Sequence, residues 1–92
     1  MAERIATIAT KVGLHARPAT IFVEAVGEFD FDITIARADD PASEAVDAAS
    51  ILSLMALGAG YGEEVVLRAE NPDADEALER LVRLLETDLD AD

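Results

Sequence analysis

Two spacings of apolar residues recur along the chain, and their alternation predicts a mixed α and β fold. The clearest stretch is FDFDITIA, residues 29–36, where Phe29, Phe31, Ile33 and Ile35 share one face and Asp30, Asp32 and Thr34 the other. A period of two marks a strand buried on one side, as in an antiparallel sheet covered on one face. ERIATIAT, residues 3–10, is rich in Ile and Thr and predicts an earlier strand. GEEVVLRAE, residues 62–70, predicts a later one with Val65, Leu67 and Ala69 aligned. A further short strand is expected near Ala45–Ala49.

From Ala16 the period lengthens. Ala19, Phe22, Val23 and Val26 fall at i, i+3, i+4 and i+7, one face of a helix. Pro18 suits its first turn, where a missing N–H costs nothing, and Gly27 is a natural stop. Ser50 opens SILSLMALG as an N-cap and Gly58 closes it. That short helix has more apolar residues than one face needs: either Leu54 and Leu57 point inward, leaving Ile51, Leu52 and Met55 partly exposed as a partner surface, or the helix lies wholly in the core. The last helix, 73–87, buries Ala74, Ala77, Leu78, Leu81 and Leu85. Asn71 or Asp73 caps it, with Asp73 and Glu76 resembling a capping box. Glu76–Arg80 and Glu79–Arg83 are i,i+4 pairs in the favourable order. The order βαββαβα predicts an α+β open-faced two-layer sandwich, a four-stranded antiparallel sheet with three helices on one face. Residues 1–92 are expected to form a single domain.

Composition adds constraints of its own. With 51% hydrophobic residues the chain has the means to build a core. It has no cysteine, which excludes a disulfide framework, a thiolate metal site and a Cys nucleophile. MAERIATIAT lacks the apolar run of a signal peptide and no stretch approaches a membrane span, so a cytoplasmic protein is expected. Twenty carboxylates against seven cations give a net charge of −13, which argues against nucleic acid and anionic membranes as partners. Self-repulsion on such a surface is relieved by salt, and a salt-rich cytoplasm is one expectation. The charge is also uneven. No carboxylate lies between Arg4 and Val23, where Arg4, Lys11 and Arg17 form a positive island around His15, the single histidine.

GLHARPAT, residues 13–20, places that imidazole at or next to the N-cap of the first helix. The N–H groups of a first helical turn attract anions and suit a neutral, nucleophilic ring better than an imidazolium. A phosphoryl group on the ring would put its charge where the backbone N–H groups of Ala16 and Arg17 point, and the Arg17 guanidinium can hold two of its oxygens. Gly13 lets the loop bend closely enough to present the ring. The spacing alone favours a plainer reading, an exposed histidine near a helix cap beside a solvated arginine. One histidine without cysteine argues against zinc, the acids lack EF-hand spacing, and a Ser–His–Asp nucleophile motif is missing. No metal and no cofactor is called for.

GLHARPAT resembles the active-site signature of the HPr family, the histidine-containing phosphocarriers of the phosphoenolpyruvate-dependent sugar phosphotransferase system. ASILSLMALGAGYGEEVVLRAE resembles the family's second block, a serine-initiated short helix ending in Leu-Gly and then a strand. Chain length and element order agree, so the resemblance covers nearly the whole chain. It implies that His15 accepts a phosphoryl group on Nδ1 from the phosphohistidine of enzyme I and passes it to a IIA domain of a sugar permease. Arg17 then stabilises the charge, and the helix beginning at Ala16 supplies backbone donors. Such a protein is a stoichiometric carrier, expected as a monomer, rather than a conventional enzyme. The resemblance further implies a docking surface of Ala16, Arg17 and Thr20 with Ile51, Leu52 and Met55. Ser50 aligns with the serine that a dedicated HPr kinase phosphorylates in some members, although its role as an N-cap explains it without that.

The chain departs from the family in places. Many relatives carry lysines on the exposed side of the first helix, where this chain has Glu24 and then Glu28. Val12 stands where the family often has a small polar residue, and the loop from Ala38 to Val46 is longer than usual. Two other readings remain at this level. A regulatory HPr-like module would bind partners without relaying phosphate, and intact His15 and Arg17 argue against it. A ferredoxin-like nucleic-acid binder would share much of the element order, but net charge and the lack of outward aromatics argue against that one.

Overall fold

The computed structural model describes residues 2–10, 16–38, 45–58 and 60–87. Strand β1 (Ala2–Thr7) leads to helix α1 (Ala16–Val26), then strands β2 (Ile33–Arg37) and β3 (Val46–Asp47), helix α2 (Ile51–Leu57), strand β4 (Glu64–Ala69) and helix α3 (Ala74–Leu85). The sheet has four strands in the order β1-β4-β2-β3, and every pairing is antiparallel. β4 is therefore central. It pairs β1 from Ala2↔Ala69 to Thr7↔Glu64 and β2 from Ile33↔Ala69 to Arg37↔Val65. β1 and β2 flank it in the same direction, so α1 is the crossover of a split βαβ unit.

The expected α+β sandwich is the one observed. Ala6, Ile33, Ile35, Val65, Leu67 and Ala69 bury one face of the sheet. Ala19, Phe22 and Val26 of α1, Leu54 of α2, and Ala74, Leu78, Leu81 and Leu85 of α3 complete the same core. Each large side chain buried in this way contributes about 1.5–3 kcal/mol. The last helix buries all five residues of its predicted stripe. Val23 and Leu57, also expected inward, are partly buried against that core.

Local expectations shift where long-range contacts compete. The strand read over 29–36 begins only at Ile33, opposite Ala69, where its partner β4 ends. Before it, the N–H groups of Gly27, Glu28 and Phe29 turn back onto the Val23, Ala25 and Val26 carbonyls at 3.0, 3.2 and 3.1 Å, closing α1. Phe29 and Phe31 still face inward, tilted against each other with ring centroids 5.9 Å apart and packed on the core edge. The Arg80 guanidinium lies 5.6 Å from the Phe29 centroid, so this arginine packs on an aromatic ring rather than bridging Glu76. Glu79 and Arg83 do approach, at 3.9 Å and largely exposed. The capping box does not form. Asp73 makes no side-chain cap, and Asn71 Oδ1 instead accepts from the Asp73 N–H at 2.9 Å, starting the turn two residues earlier.

Candidate functional site

His15, Lys11, Val12 and Gly13 lie outside the described residues. The described chain holds both ends of that segment. On the entering side, Ile8 exchanges backbone hydrogen bonds with the turn before β4: its N–H donates to Glu63 O at 2.9 Å, and Gly62 N–H donates to Ile8 O at 2.8 Å. Ala9 N–H then donates to Leu85 O at 3.0 Å, and the buried Thr10 hydroxyl donates to Thr87 O at 3.5 Å. Residues 8–10 are thus held between a turn and the end of α3. Thr10 went unread in the sequence. A threonine following Ile8 and Ala9 looks like one more strand position, and its neighbour Thr87 is 77 residues away.

On the leaving side, α1 begins at Ala16. Pro18 and Ala19 are buried, which seats the first turn, while Arg17 and Thr20 are exposed. The first turn holds no acidic residue, so nothing there offsets the positive end of the helix dipole. Glu24 and Glu28 are exposed farther along, as the sequence indicated.

α1 packs against α2. Ser50 caps α2 as expected, in an extended conformation (φ −104°, ψ 115°), with its side chain accepting from the Ser53 N–H. Gly58 ends it in the left-handed region (φ 71°), a conformation that a side chain would strain. Leu54 is fully buried, whereas Leu52 is 78% and Met55 42% exposed. Ile51 is half-buried. The residues singled out for docking therefore fall on two adjoining helices, and two of the three on α2, Leu52 and Met55, are exposed.

The positive island needs correcting. Arg4 belongs to the helix-covered face of β1 and donates to Asp75 Oδ1 of α3 at 3.0 Å. A carboxylate distant in sequence takes it up, so it adds no charge to the start of α1. Another arginine emerges instead. Arg37, at the end of β2, pairs with Glu63 and donates to the Gly58 carbonyl at 3.5 Å. Neither partner could be paired with it from spacing, since they lie 21 and 26 positions away.

Among the described residues no group of His, Cys, Asp and Glu is placed to hold a metal ion, and no helix is long and apolar enough to cross a membrane. The described grooves lie beyond the C-terminal end of α1, around Phe29, Phe31, Asp32 and Arg68.

Comparison with known proteins agrees with this architecture. A family model described as "PTS HPr component phosphorylation site" matches residues 2–87. The phosphocarrier protein HPr of Haloferax volcanii is 46% identical over 85 residues, covering 92% of this chain and 93% of that protein. The crystal structure of HPr-C-His from Thermoanaerobacter tengcongensis superposes with a TM-score of 0.85 at 37% identity, covering 100% of this chain and 99% of that one. An HPr dimer from the same organism superposes with a TM-score of 0.70, also at 37% identity, covering 99% and 100%.

Proposed function

This chain belongs to the PTS HPr component family of phosphocarriers, and from that premise we propose that it carries a phosphoryl group on His15 from phospho-enzyme I to a IIA domain during sugar uptake. The observation that carries this reading is the start of α1. A helix first turn without acidic residues bears the exposed Arg17, beside a second helix whose Leu52 and Met55 are exposed.

In the transfer, the Nδ1 lone pair of a neutral His15 attacks the phosphorus of the donor's phosphohistidine. An N–P bond forms on His15 as the donor's N–P bond breaks, and the donor imidazole leaves with the bonding pair. His15 sheds its Nε2 proton and the departing imidazole takes one up, so charge balances. Arg17 and the first-turn N–H groups of Ala16 and Arg17 hold the phosphoryl oxygens. The onward step repeats this with His15 as donor. No cofactor takes part.

Ala16, Arg17 and Thr20 of α1 and Ile51, Leu52 and Met55 of α2 form the docking surface. Ser50 at its edge is a regulatory position where an HPr kinase would add charge. The chain acts as a monomer and a single domain over residues 1–92, in the cytoplasm. With glutamates where relatives carry lysines, apolar contacts carry more of the docking, as a salt-screened interior favours.

The test is a relay. The chain is incubated with radiolabelled phosphoenolpyruvate, enzyme I and a IIA domain. Label on the IIA domain that requires the chain supports the carrier. Label that stops on the chain supports a regulatory module, and label on neither overturns both.

A further inference from the structure

Helices α1 and α3 carry their charges in opposite senses. In α3, Asp75 and Glu76 occupy the first turn and Arg83 the last, so the positive end of the helix dipole meets acids and the negative end a base. In α1 no acid stands in the first turn, which bears the exposed Arg17, and no base stands in the last, which bears the exposed Glu24. Exposed Glu28 follows just beyond. Both ends of α1 therefore oppose its dipole, at a cost to stability. Ion pairs take up Glu3, Glu63, Asp75 and Glu79, but none among the described residues reaches Glu24 or Glu28. Arg17, Thr20 and Glu24 are spaced i, i+3 and i+7 and share the exposed stripe of α1, opposite the buried Ala19, Phe22 and Val26. At 1.5 Å per residue, Glu24 lies about 10 Å along the helix from Arg17. The stripe thus joins a positive end, where the carrier reading puts the phosphoryl group, to a negative one. On the adjoining α2, Leu52 and Met55 are exposed.

We infer that Glu24 is a specificity-determining residue of this docking surface, selecting a phosphoryl donor that bears a lysine or arginine opposite it. This inference rests on the carrier reading. Such a donor presents an anion, its phosphohistidine, over Arg17 and a cation about 10 Å farther along the helix. An apolar surface beside them meets Leu52 and Met55. Opposite charges at the two ends fix the direction in which the partner lies along α1, since the reversed pose sets the phosphoryl group against a carboxylate. The carboxylate that weakens the free helix is then compensated in the complex.

The experiment is steady-state phosphorylation by phosphoenolpyruvate and enzyme I, with the full chain as varied substrate. Wild type is compared with Glu24→Gln, Glu24→Lys and Glu64→Lys, in the most dilute KCl at which circular dichroism shows all of them folded and again in molar KCl. Exposed Glu64 lies on the sheet face opposite the buried Val65, Leu67 and Ala69, so Glu64→Lys makes the same change in net charge away from α1. Glu24→Lys is expected to raise KM about fivefold in dilute salt with kcat within about twofold, and Glu24→Gln to raise KM about twofold. Molar KCl should remove most of either difference, because it screens exposed charges. Glu64→Lys should keep the wild-type KM. Glu24→Lys should also melt no lower than wild type, because a base suits that end of the helix, so its weaker docking is not a weaker fold. If it fails to fold, Glu24→Gln carries the test. A KM for Glu24→Lys at or below that of an active wild type in dilute salt overturns the inference alone. So does an equal rise for Glu64→Lys, or a rise that molar KCl leaves undiminished. A wild type that enzyme I leaves unphosphorylated overturns the carrier reading, and with it the role assigned to Glu24.

Discussion

Ser50 and Ser53 are joined across the first turn of α2: the Ser53 N–H donates to Ser50 Oγ at 3.3 Å, while Leu54 N–H donates to the Ser50 carbonyl at 3.0 Å. The hydroxyl thus satisfies a donor that the helix cannot, and the carbonyl starts the helical ladder. Ser50→Ala should cost about 1 kcal/mol in chemical denaturation. Ser50→Asp keeps a capping oxygen and should stay within about 0.5 kcal/mol of wild type. Its charge beside the exposed apolar face should nonetheless raise KM for enzyme I severalfold, the effect proposed for phosphorylation there. The two substitutions separate the cap from the regulatory role.

Two leucines of α2, two positions apart, should behave in opposite ways. Leu54 is fully buried and Leu52 is 78% exposed. Leu54→Ala is expected to destabilise by about 2–5 kcal/mol, the cost of lost burial and a cavity. Leu52→Ala should change stability by less than about 0.5 kcal/mol. The same exposed truncation should weaken docking of enzyme I, seen as a higher KM with kcat nearly unchanged.

Arg4 and Arg17 looked alike in the sequence and should differ in function. Arg4 bridges to Asp75, a pair with side chains 40% and 72% exposed, for which about 1 kcal/mol or less is typical. Arg4→Gln should leave the phosphorylation rate as it is. Arg17→Ala should slow it by about tenfold or more, because a charge-assisted, two-pronged contact to phosphoryl oxygens is lost. Arg17→Lys should recover part of the rate.

The net charge of −13 makes stability depend on salt. Exposed ion pairs such as Glu3–Arg68 weaken as salt rises, but they are outnumbered by unscreened repulsions among twenty carboxylates. The melting temperature should therefore climb between dilute and molar KCl. A flat profile would contradict the salt-rich setting.

What could be read in advance was whatever local pattern controls. The stripe of α3 and the alternation of Val65, Leu67 and Ala69 follow from periodicity alone, and the structure buries each of them. Ser50 and Gly58 likewise act within one turn of their own positions. The misreadings lie where distant residues compete. Phe29 kept its inward face but left the strand, because α1 needed its N–H and the partner strand had ended. Arg80 passed over Glu76 for an aromatic ring 51 positions earlier. Arg4 was drawn off by Asp75, and the grip of Arg37 on Glu63 and Gly58 had no counterpart in the pattern. At the candidate site, the residue types were legible from GLHARPAT. The clamp formed by Glu63, Leu85 and Thr87 on residues 8–10 was not, since it exists only once the turn before β4 and the end of α3 meet the residues that follow β1.

The central claim is that His15 bears the phosphoryl group, and intact mass tests it most directly. Wild type and His15→Ala are each incubated with phosphoenolpyruvate and the host's enzyme I, then weighed before and after brief acid treatment. The account predicts one added phosphoryl group on wild type, lost in acid, and none on the variant. An unmodified wild type beside an enzyme I active on another carrier would contradict it, as would an added group that persists in His15→Ala.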